Sequence, residues 1–275
     1  MMAASSRNYS LRGFTLLELS IVLVIIAVII GSVVITQSMI RDAQIRSVVG
    51  EMTRYIQNMK DFQDKYHALP GDFAGATALW GTASGGCPAG AGTGTQTCNG
   101  DGNGRIGNQS VASINGTYEE FRAWQHLANA NMIETTVNGI AGAFYHTRTP
   151  GTNIPKSQLE GAGWGLTCVT PGDISGGVVV SQIPYNTGDI PPNHVLWLGG
   201  VSTDGTSNLQ TPVLKVEEAE SIDAKIDDGQ PNTGKVIGQI NATDPKCAVS
   251  TAVTGDYNLA FSGRVLCSLV FKTGF

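Results

Sequence analysis

Glu18 is the only charged residue in an otherwise apolar run over residues 14–35. A carboxylate inside a transmembrane helix costs roughly 2.5–3.5 kcal/mol, so it indicates either a functional partner or a position at the membrane surface. Glu18 lies near the start of the run, where its side chain could reach the lipid headgroups. Alternatively, a cut between Gly13 and Phe14 would create a positive amine near Glu18. In an assembly, the amine of one subunit could then neutralise the carboxylate of its neighbour and select the register of docking.

A second set of possible ligands stands in the segment NGDGNGRI. Its oxygen-bearing side chains alternate, and a glycine follows at the sharp turn, as in the first half of an EF-hand Ca²⁺ loop. The side chains are Asn99, Asp101 and Asn103, followed by Gly104 and by the main-chain carbonyl of Arg105. This pattern predicts a calcium site, and the alternative is an Asn-Gly turn that binds no metal.

The twelfth position of this loop departs from the EF-hand pattern. Ser110 stands where an EF-hand has a bidentate glutamate. Glu119 or Glu120 would have to fold back to supply that ligand. The predicted ligands are Asn99, Asp101, Asn103, Arg105 and Glu120, with calcium as a possible rather than a required cofactor.

The cysteines predict disulfides rather than a metal site. None of the five forms a CxxC pair, which argues against a zinc ribbon or a thioredoxin motif. In an exported chain, disulfides are expected. Two close pairings suggest themselves, Cys87 with Cys98 and Cys247 with Cys267, which leaves Cys168 over; the sequence does not fix the connectivity.

The remaining residues give no sign of an enzyme or of a nucleic-acid binder. The four histidines lie on four different segments, and no Walker loop or G-x-S-x-G motif is present. GNGRIG at residues 102–107 matches a dinucleotide fingerprint, but no predicted strand precedes it and no predicted helix begins there. The formal net charge of −5 disfavours a general nucleic-acid partner. We therefore predict no catalytic residues and no nucleic-acid partner.

The element that positions Glu18 is a predicted membrane-spanning helix. The apolar run of about 20 residues is long enough to cross a bilayer. Arg7 and Arg12 precede it, so the positive-inside rule predicts a cytoplasmic leader at residues 1–13 and an exported body. No small-residue cleavage site follows the run, unlike in a secretory signal peptide.

The helical pattern continues beyond the membrane segment. Apolar residues spaced by three and four form one stripe of an amphipathic helix: Ile45, Val48, Val49, Met52, Ile56, Met59, Phe62 and Tyr66. Charged residues, among them Glu51, mostly fill the other faces, and Leu69-Pro70-Gly71 ends the helix. A break near Gly50 is the alternative. The predicted boundaries are 14–35 for the membrane helix, 36–69 for its amphipathic continuation and 70–275 for a globular head.

The head is predicted to be α+β, with a small, mostly antiparallel sheet packed on the long helix. Residues 80–116 form a long Gly-rich loop, and Thr117 caps a helix over 118–133. Alternating apolar residues predict strands, and a second head helix over 211–229 carries an acidic solvent face. The strands are 142–146, 177–183, 194–201, 234–240 and 263–272, and the acidic residues are Glu217, Glu218, Glu220, Asp223, Asp227 and Asp228.

The segment GFTLLELSIVLVIIAVI closely resembles the class III leader of type IV pilins and of type II secretion pseudopilins. By that resemblance, a prepilin peptidase cuts after Gly13 and methylates the amine of Phe14, and Glu18 is the glutamate at the fifth mature position. The likeness extends less diagnostically to HALPGD and IDAKIDDGQPNTG in the head. It implies a pilin-like fold, in which the first half of the long helix packs in a filament core.

This resemblance implies a structural subunit of a pilus-like or pseudopilus filament. The implied partners are other pilin subunits, the prepilin peptidase and an inner-membrane assembly platform. The precursor would cross the inner membrane once, with its head in the periplasm before assembly into an extracellular filament. A minor pilin that acts as a tip adhesin or binding module is the alternative. The pseudopilins that this chain resembles often bind calcium, generally nearer the C-terminus.

Overall fold

The computed structural model describes residues 13–87, 90–107, 119–140, 147–169, 193–201, 209, 211–239, 246–249 and 255–274. By its internal contacts the chain divides into two compact units, Met1–Ala43 and Gln44–Phe275. Several predictions fall outside the described residues: the leader up to residue 12, Ser110, Thr117, and the strands at 142–146 and 177–183.

Helix α1, Leu16–Tyr66, begins in the first unit with its apolar part. By length and composition it is able to cross a membrane, and its most apolar stretch is not buried within the protein. Large apolar side chains such as Phe14, Leu16 and Val28 are 88%, 89% and 67% exposed. A helix satisfies all its interior backbone hydrogen bonds within itself, which is what a segment in hydrocarbon requires.

The second unit contains the C-terminal part of α1. Gly50 lies within the helix, so the alternative of a break at this residue is wrong. The helix ends where His67 adopts a left-handed backbone with φ of 53°. Pro70 cannot donate a backbone hydrogen bond, and Gly71 has φ of 89°, so the chain leaves the helical path.

One side of this part of α1 is buried, as its apolar spacing predicts. Val48, Met59 and Phe62 are fully buried in the core. Tyr55 is buried too, with its ring centroid 5.0 Å from that of Trp124 and 5.7 Å from that of Trp164. Glu51 corrects the prediction: it was placed on a solvent face but is only 6% exposed. Its burial is possible because other segments of the unit donate hydrogen bonds to it.

Within the described residues, the sheet has five strands, and all their pairings are antiparallel. The strands are β1 Gly163–Val169, β2 Asn193–Gly199, β3 Leu214–Lys215, β4 Val236–Gln239 and β5 Val265–Lys272. Their order is β1-β2-β5-β3, and β4 also pairs with β5. Five consecutive residues of β5 are buried, which is typical of a strand covered on both faces. The α+β layout with a small antiparallel sheet is confirmed, and β1 is a strand that the alternation did not predict.

Helix α3, Glu119–Asn129, follows the short helix α2, Ala76–Trp80. All residues from Glu119 to Leu127 are buried, including the polar ones, so this helix lies inside the second unit instead of covering it. It ends before the predicted residue 133, because Asn131 has a left-handed backbone with φ of 57°.

Helix α4, Val216–Ile226, starts later than the predicted residue 211. The preceding segment is used by the sheet instead: the N–H of Val213 donates to the Cys267 carbonyl over 2.9 Å, and Leu214 pairs with Cys267. The acidic face also needs correction. Asp223 is fully buried and accepts a hydrogen bond from the Tyr257 hydroxyl over 2.9 Å.

Both suggested disulfides, Cys87–Cys98 and Cys247–Cys267, are present in the second unit. Cys168, on strand β1, belongs to neither disulfide. Cys87–Cys98 closes a loop in the Gly-rich segment that precedes Asn99. Cys247–Cys267 ties a segment after β4 to the central strand β5. Along the sequence, one disulfide of the second unit thus precedes the predicted calcium loop and the other follows it.

Candidate functional site

Glu18 lies in the first turn of α1 and is bound by its own helix. The Thr15 backbone N–H and hydroxyl donate to Glu18 Oε2 over 2.8 and 2.9 Å, and the Glu18 N–H donates to the Thr15 hydroxyl over 3.2 Å. This reciprocal pair is a capping box. The T-x-x-E spacing of this cap is present in the sequence, and the cap was not predicted because it lies at the start of an apolar run. Gly13 and Phe14 precede the cap, so the predicted cleavage point stands directly before the helix.

The cap also fits the electrostatics of the helix end. The unsatisfied N–H groups of the first turn give a helix N-terminus a partial positive charge. A carboxylate at Glu18 is favourable there, whereas the same group in the middle of the apolar run would not be. Thr15 fixes the rotamer of this carboxylate at the point where the predicted new amine of Phe14 would arise.

The Gly-rich loop supplies one member of an acidic cluster in the second unit. Asp72, Asp101 and Glu119 each place a carboxylate oxygen within 4.8 Å of the others. Asp72 follows the turn after α1, Asp101 lies in the loop, and Glu119 is the first residue of α3. Asp72 and Glu119 are 3% and 0% exposed, whereas Asp101 is open to solvent.

Backbone N–H groups of the loop converge on the two buried carboxylates. Asp72 accepts from the N–H groups of Asn103 and Gly104, each over 2.9 Å. Glu119 accepts from the N–H groups of Asp101 over 3.0 Å and Gly107 over 3.2 Å. The loop therefore wraps around these acids, and each carboxylate retains lone pairs for a hard cation.

Burial opposes the negative charge of this cluster. Burial raises the pKa of Glu119 to about 8, and the nearby Asp101 and Asp72 carboxylates add to the shift. Burial likewise raises the pKa of Asp72. A divalent cation between the three carboxylates would relieve both the desolvation and the mutual repulsion, as paired buried charges do.

The predicted ligands are only partly brought together. Glu120 Oε2 instead forms an ion pair with Arg148 Nη2 over 2.6 Å, with both side chains almost fully buried. Glu119 takes the place that was assigned to Glu120, because adjacent helical residues project in directions roughly 100° apart. Asp72 was missed, since nothing in the sequence joins residue 72 to the loop.

The amide side chains of the loop serve turns within the described residues. Asn99 Oδ1 accepts from the N–H of Thr77 over 2.7 Å, at the start of α2. Asn103 Oδ1 accepts from the N–H of Arg105 over 2.8 Å, and its Nδ2 donates to Asp101 over 3.0 Å. These contacts shape the loop, and the carboxylate set Asp72, Asp101 and Glu119 is the better candidate to hold a metal.

His126 fixes the loop from the side of α3. The Gly71 N–H donates to its Nδ1 over 3.0 Å, so Nε2 carries the proton and donates to the Cys98 carbonyl over 3.1 Å. Burial lowers the pKa of His126 to about 3, and the Arg122 charge contributes to the shift. The imidazole is therefore neutral and connects the turn before Asp72 to the residue before Asn99.

Comparison with protein-family models, with curated proteins and with solved structures finds no match to this chain.

Proposed function

We propose that the chain is a structural subunit of a type IV pilus-like or pseudopilus filament. A prepilin peptidase cuts it after Gly13 and methylates Phe14, and the subunit polymerises through the N-terminal part of α1. The observation that carries the proposal is the exposed apolar start of α1, with Glu18 in its first turn immediately after the Gly13-Phe14 step. An apolar surface of this size requires a membrane or another protein to cover it.

The same apolar part of α1 is covered first by membrane lipid and later by other subunits. The precursor crosses the inner membrane once, with its leader in the cytoplasm and its head in the periplasm. During assembly the helix leaves lipid for the apolar core of a filament. Glu18, held by Thr15 in the single chain, is then positioned to receive the Phe14 ammonium of a neighbouring subunit. A missed pairing leaves an uncompensated charge in an apolar medium, which selects the correct register.

Substitution at residues 13 and 18 tests the proposal in cells that contain a prepilin peptidase. Glu18→Ala should be cleaved and methylated but should not form filaments that can be sheared from the cells. Gly13→Leu should retain its leader, which is visible by mass spectrometry of the intact chain. Ser32→Ala, an exposed change on the same helix, is the control and should process and assemble. Normal filaments from Glu18→Ala would overturn the assembly mechanism, and an uncleaved wild-type chain would overturn the assignment.

The abundance of the subunit separates the two filament roles. A main structural subunit should be the major band of sheared filaments, whereas a tip adhesin should be present in trace amounts. Both roles use the same N-terminal chemistry, so this measurement leaves the processing proposal unchanged.

We also propose that the loop over residues 99–107 binds Ca²⁺ through Asp72, Asp101 and Glu119. Oxygen ligands from three separate chain segments, supported by backbone N–H groups, suit a hard cation. Isothermal titration of the full chain in detergent should show one calcium per chain. Absence of binding at millimolar calcium would remove this proposal and leave the filament role untouched.

A further inference from the structure

The two disulfides differ in how a reagent could reach them. Cys87 is an exposed residue, whereas its partner Cys98 is only 2% exposed. Both members of the other bond are buried, with Cys247 at 1% and Cys267 at 0% exposure. Thiol–disulfide exchange requires a thiolate to approach one sulfur in line with the S–S bond. In the folded protein, Cys87 is therefore the more exposed residue of its disulfide, and its Sγ lies 3.8 Å from the Thr97 carbonyl in a part-buried contact.

A guanidinium group lies beside the buried sulfur of this bond. Arg122 is 2% exposed, and its Nη2 donates to Cys98 Sγ over 3.2 Å and to the Gly90 carbonyl over 2.6 Å. Its Nη1 donates to Gln125 Oε1 over 2.7 Å, which holds the guanidinium in place. Burial lowers the pKa of Arg122 to about 10, so the group remains charged at neutral pH.

We propose that Cys87–Cys98 is a site of thiol–disulfide exchange with dithiol reagents or dithiol oxidoreductases, in which Cys87 Sγ is attacked and Cys98 leaves as a thiolate bound by Arg122. A stabilised leaving thiolate accelerates such exchange. A neighbouring cation is the usual means of stabilising a protein thiolate. The proposal concerns the second unit alone and does not depend on filament assembly.

The exchange proceeds in two balanced steps. The first thiolate of the dithiol attacks Cys87 Sγ, a mixed disulfide forms, and the electron pair of the broken S–S bond goes to Cys98. The second thiol of the dithiol then loses its proton and attacks the dithiol sulfur that is bonded to Cys87. This attack closes the disulfide of the reagent and releases Cys87 as a thiolate. The dithiol is oxidised to a disulfide, and the cystine is reduced to two cysteines, whose thiolates take up protons from solvent according to their pKa values.

The structure around Cys98 would keep the reduced sulfur in place. Thr97 forms two backbone hydrogen bonds with the segment at residues 81–83. Its N–H donates to the Gly81 carbonyl and its carbonyl accepts from the Ala83 N–H, each over 2.9 Å. The Thr97 hydroxyl also donates to Gln125 over 2.6 Å. Cys98 therefore stays beside Arg122 when the bond opens, and reoxidation can rebuild the same pair.

Selective reduction of the full-length chain in detergent tests the proposal. The protein is treated with dithiothreitol under native conditions, quenched with iodoacetamide at intervals, and mapped by mass spectrometry. Cys87 and Cys98 should become alkylated while Cys247–Cys267 remains intact. Reduction of both bonds at the same rate, or of Cys247–Cys267 first, would overturn the proposal.

The direction of attack is tested on the wild-type chain with glutathione, which has no second thiol in the same molecule to resolve the mixed disulfide; the reaction is quenched early with iodoacetamide. Glutathione should be found on Cys87 and the alkyl group on Cys98. The reverse distribution would show that Cys98 is attacked and would overturn the assigned roles.

Arg122 is tested by Arg122→Met and Arg122→Lys. The methionine variant should be reduced about tenfold more slowly, since it loses a charged hydrogen bond to the leaving thiolate. The lysine variant retains the charge and should recover much of the rate. Equal rates in wild type and in both variants would remove Arg122 from the mechanism. Should Arg122→Met fail to fold, the glutathione distribution and the lysine variant decide the question.

Discussion

The indole N–H of Trp164 donates a 2.5 Å hydrogen bond to the carboxylate of Glu51, which joins strand β1 to helix α1. The same carboxylate accepts from the Ser157 hydroxyl over 2.7 Å and from the Gln158 N–H over 2.8 Å. These three donors provide the buried Glu51 carboxylate with hydrogen bonds, and none of them belongs to a basic side chain. Glu51 therefore ties this part of α1 to strand β1 and to the segment at residues 157–158.

Glu51→Leu should destabilise the second unit strongly. The substitution leaves two buried donors, the Trp164 indole N–H and the Ser157 hydroxyl, and the part-buried Gln158 N–H without their acceptor, and each loss at a buried donor costs about 1–3 kcal/mol. We expect a loss of about 3 kcal/mol or more in the free energy of unfolding, measured by denaturant titration of the full chain in detergent. Asp64→Leu, an exposed change on the same helix, should alter stability by less than about 0.5 kcal/mol. A Glu51→Leu protein as stable as this control would show that the three hydrogen bonds contribute nothing.

Glu119→Gln should abolish calcium binding, and Glu120→Gln should not. Glu119 faces Asp72 and Asp101, whereas Glu120 is paired with Arg148. Breaking that buried pair should instead lower stability, by about 3–5 kcal/mol where a buried charge loses its partner. Calorimetric titration with calcium and a parallel unfolding curve separate the two effects. Equal calcium affinity in both variants would contradict the ligand assignment.

His126 should make the second unit sensitive to acid. Its pKa falls from 6.5 to about 3 on folding, so between these values the unfolded chain binds a proton that the folded chain does not. The stability it contributes is complete above pH 6.5 and is lost as the pH falls toward 3. His126→Gln has no such proton, so its stability should fall less than that of the wild type between pH 7 and pH 4. Parallel curves for the two proteins, from denaturant midpoints at each pH, would refute the assignment.

Gly100→Ala should disrupt the loop, because the backbone passes too close to the turn after α1. A Cβ at residue 100 would lie 2.3 Å from the backbone of Asp72. At Gly107 a Cβ would meet no atom of the described residues within 4 Å, so Gly107→Ala is the matched control. We expect Gly100→Ala to lower both the unfolding midpoint and calcium affinity, and Gly107→Ala to leave both nearly unchanged. Similar behaviour of the two variants would argue against a close approach.

Helices and strands with a regular spacing of apolar residues could be predicted from the sequence. The apolar spacing of α1 predicted its buried stripe, and alternation in residues 194–201 and 263–272 predicted β2 and β5. Strand β1 was missed because Gly163 and Gly165 interrupt its alternation, although Trp164 and Leu166 both point into the core. In a sequence, glycine usually indicates the end of a strand. In β1, the missing side chain of Gly165 instead leaves room for close neighbours such as Leu209.

The acidic cluster shows the limit of such reasoning. The loop around Asp101 was predicted from its alternating oxygens, but its neighbours Asp72 and Glu119 come from segments far away in sequence. Glu119 and Glu120 are adjacent, and the step of one residue around a helix brings the first side chain to the loop and the second to Arg148. Only the packing of α3 decides between them.

The position of β5 has a consequence for how the chain is made. This strand pairs with β2, β3 and β4, yet it is synthesised after all three of them. A chain emerging from the ribosome therefore carries strands that lack their shared neighbour until β5 arrives. Such late, long-range pairing slows folding and leaves strand edges open to aggregation, so the nascent polypeptide should depend on chaperones during this interval.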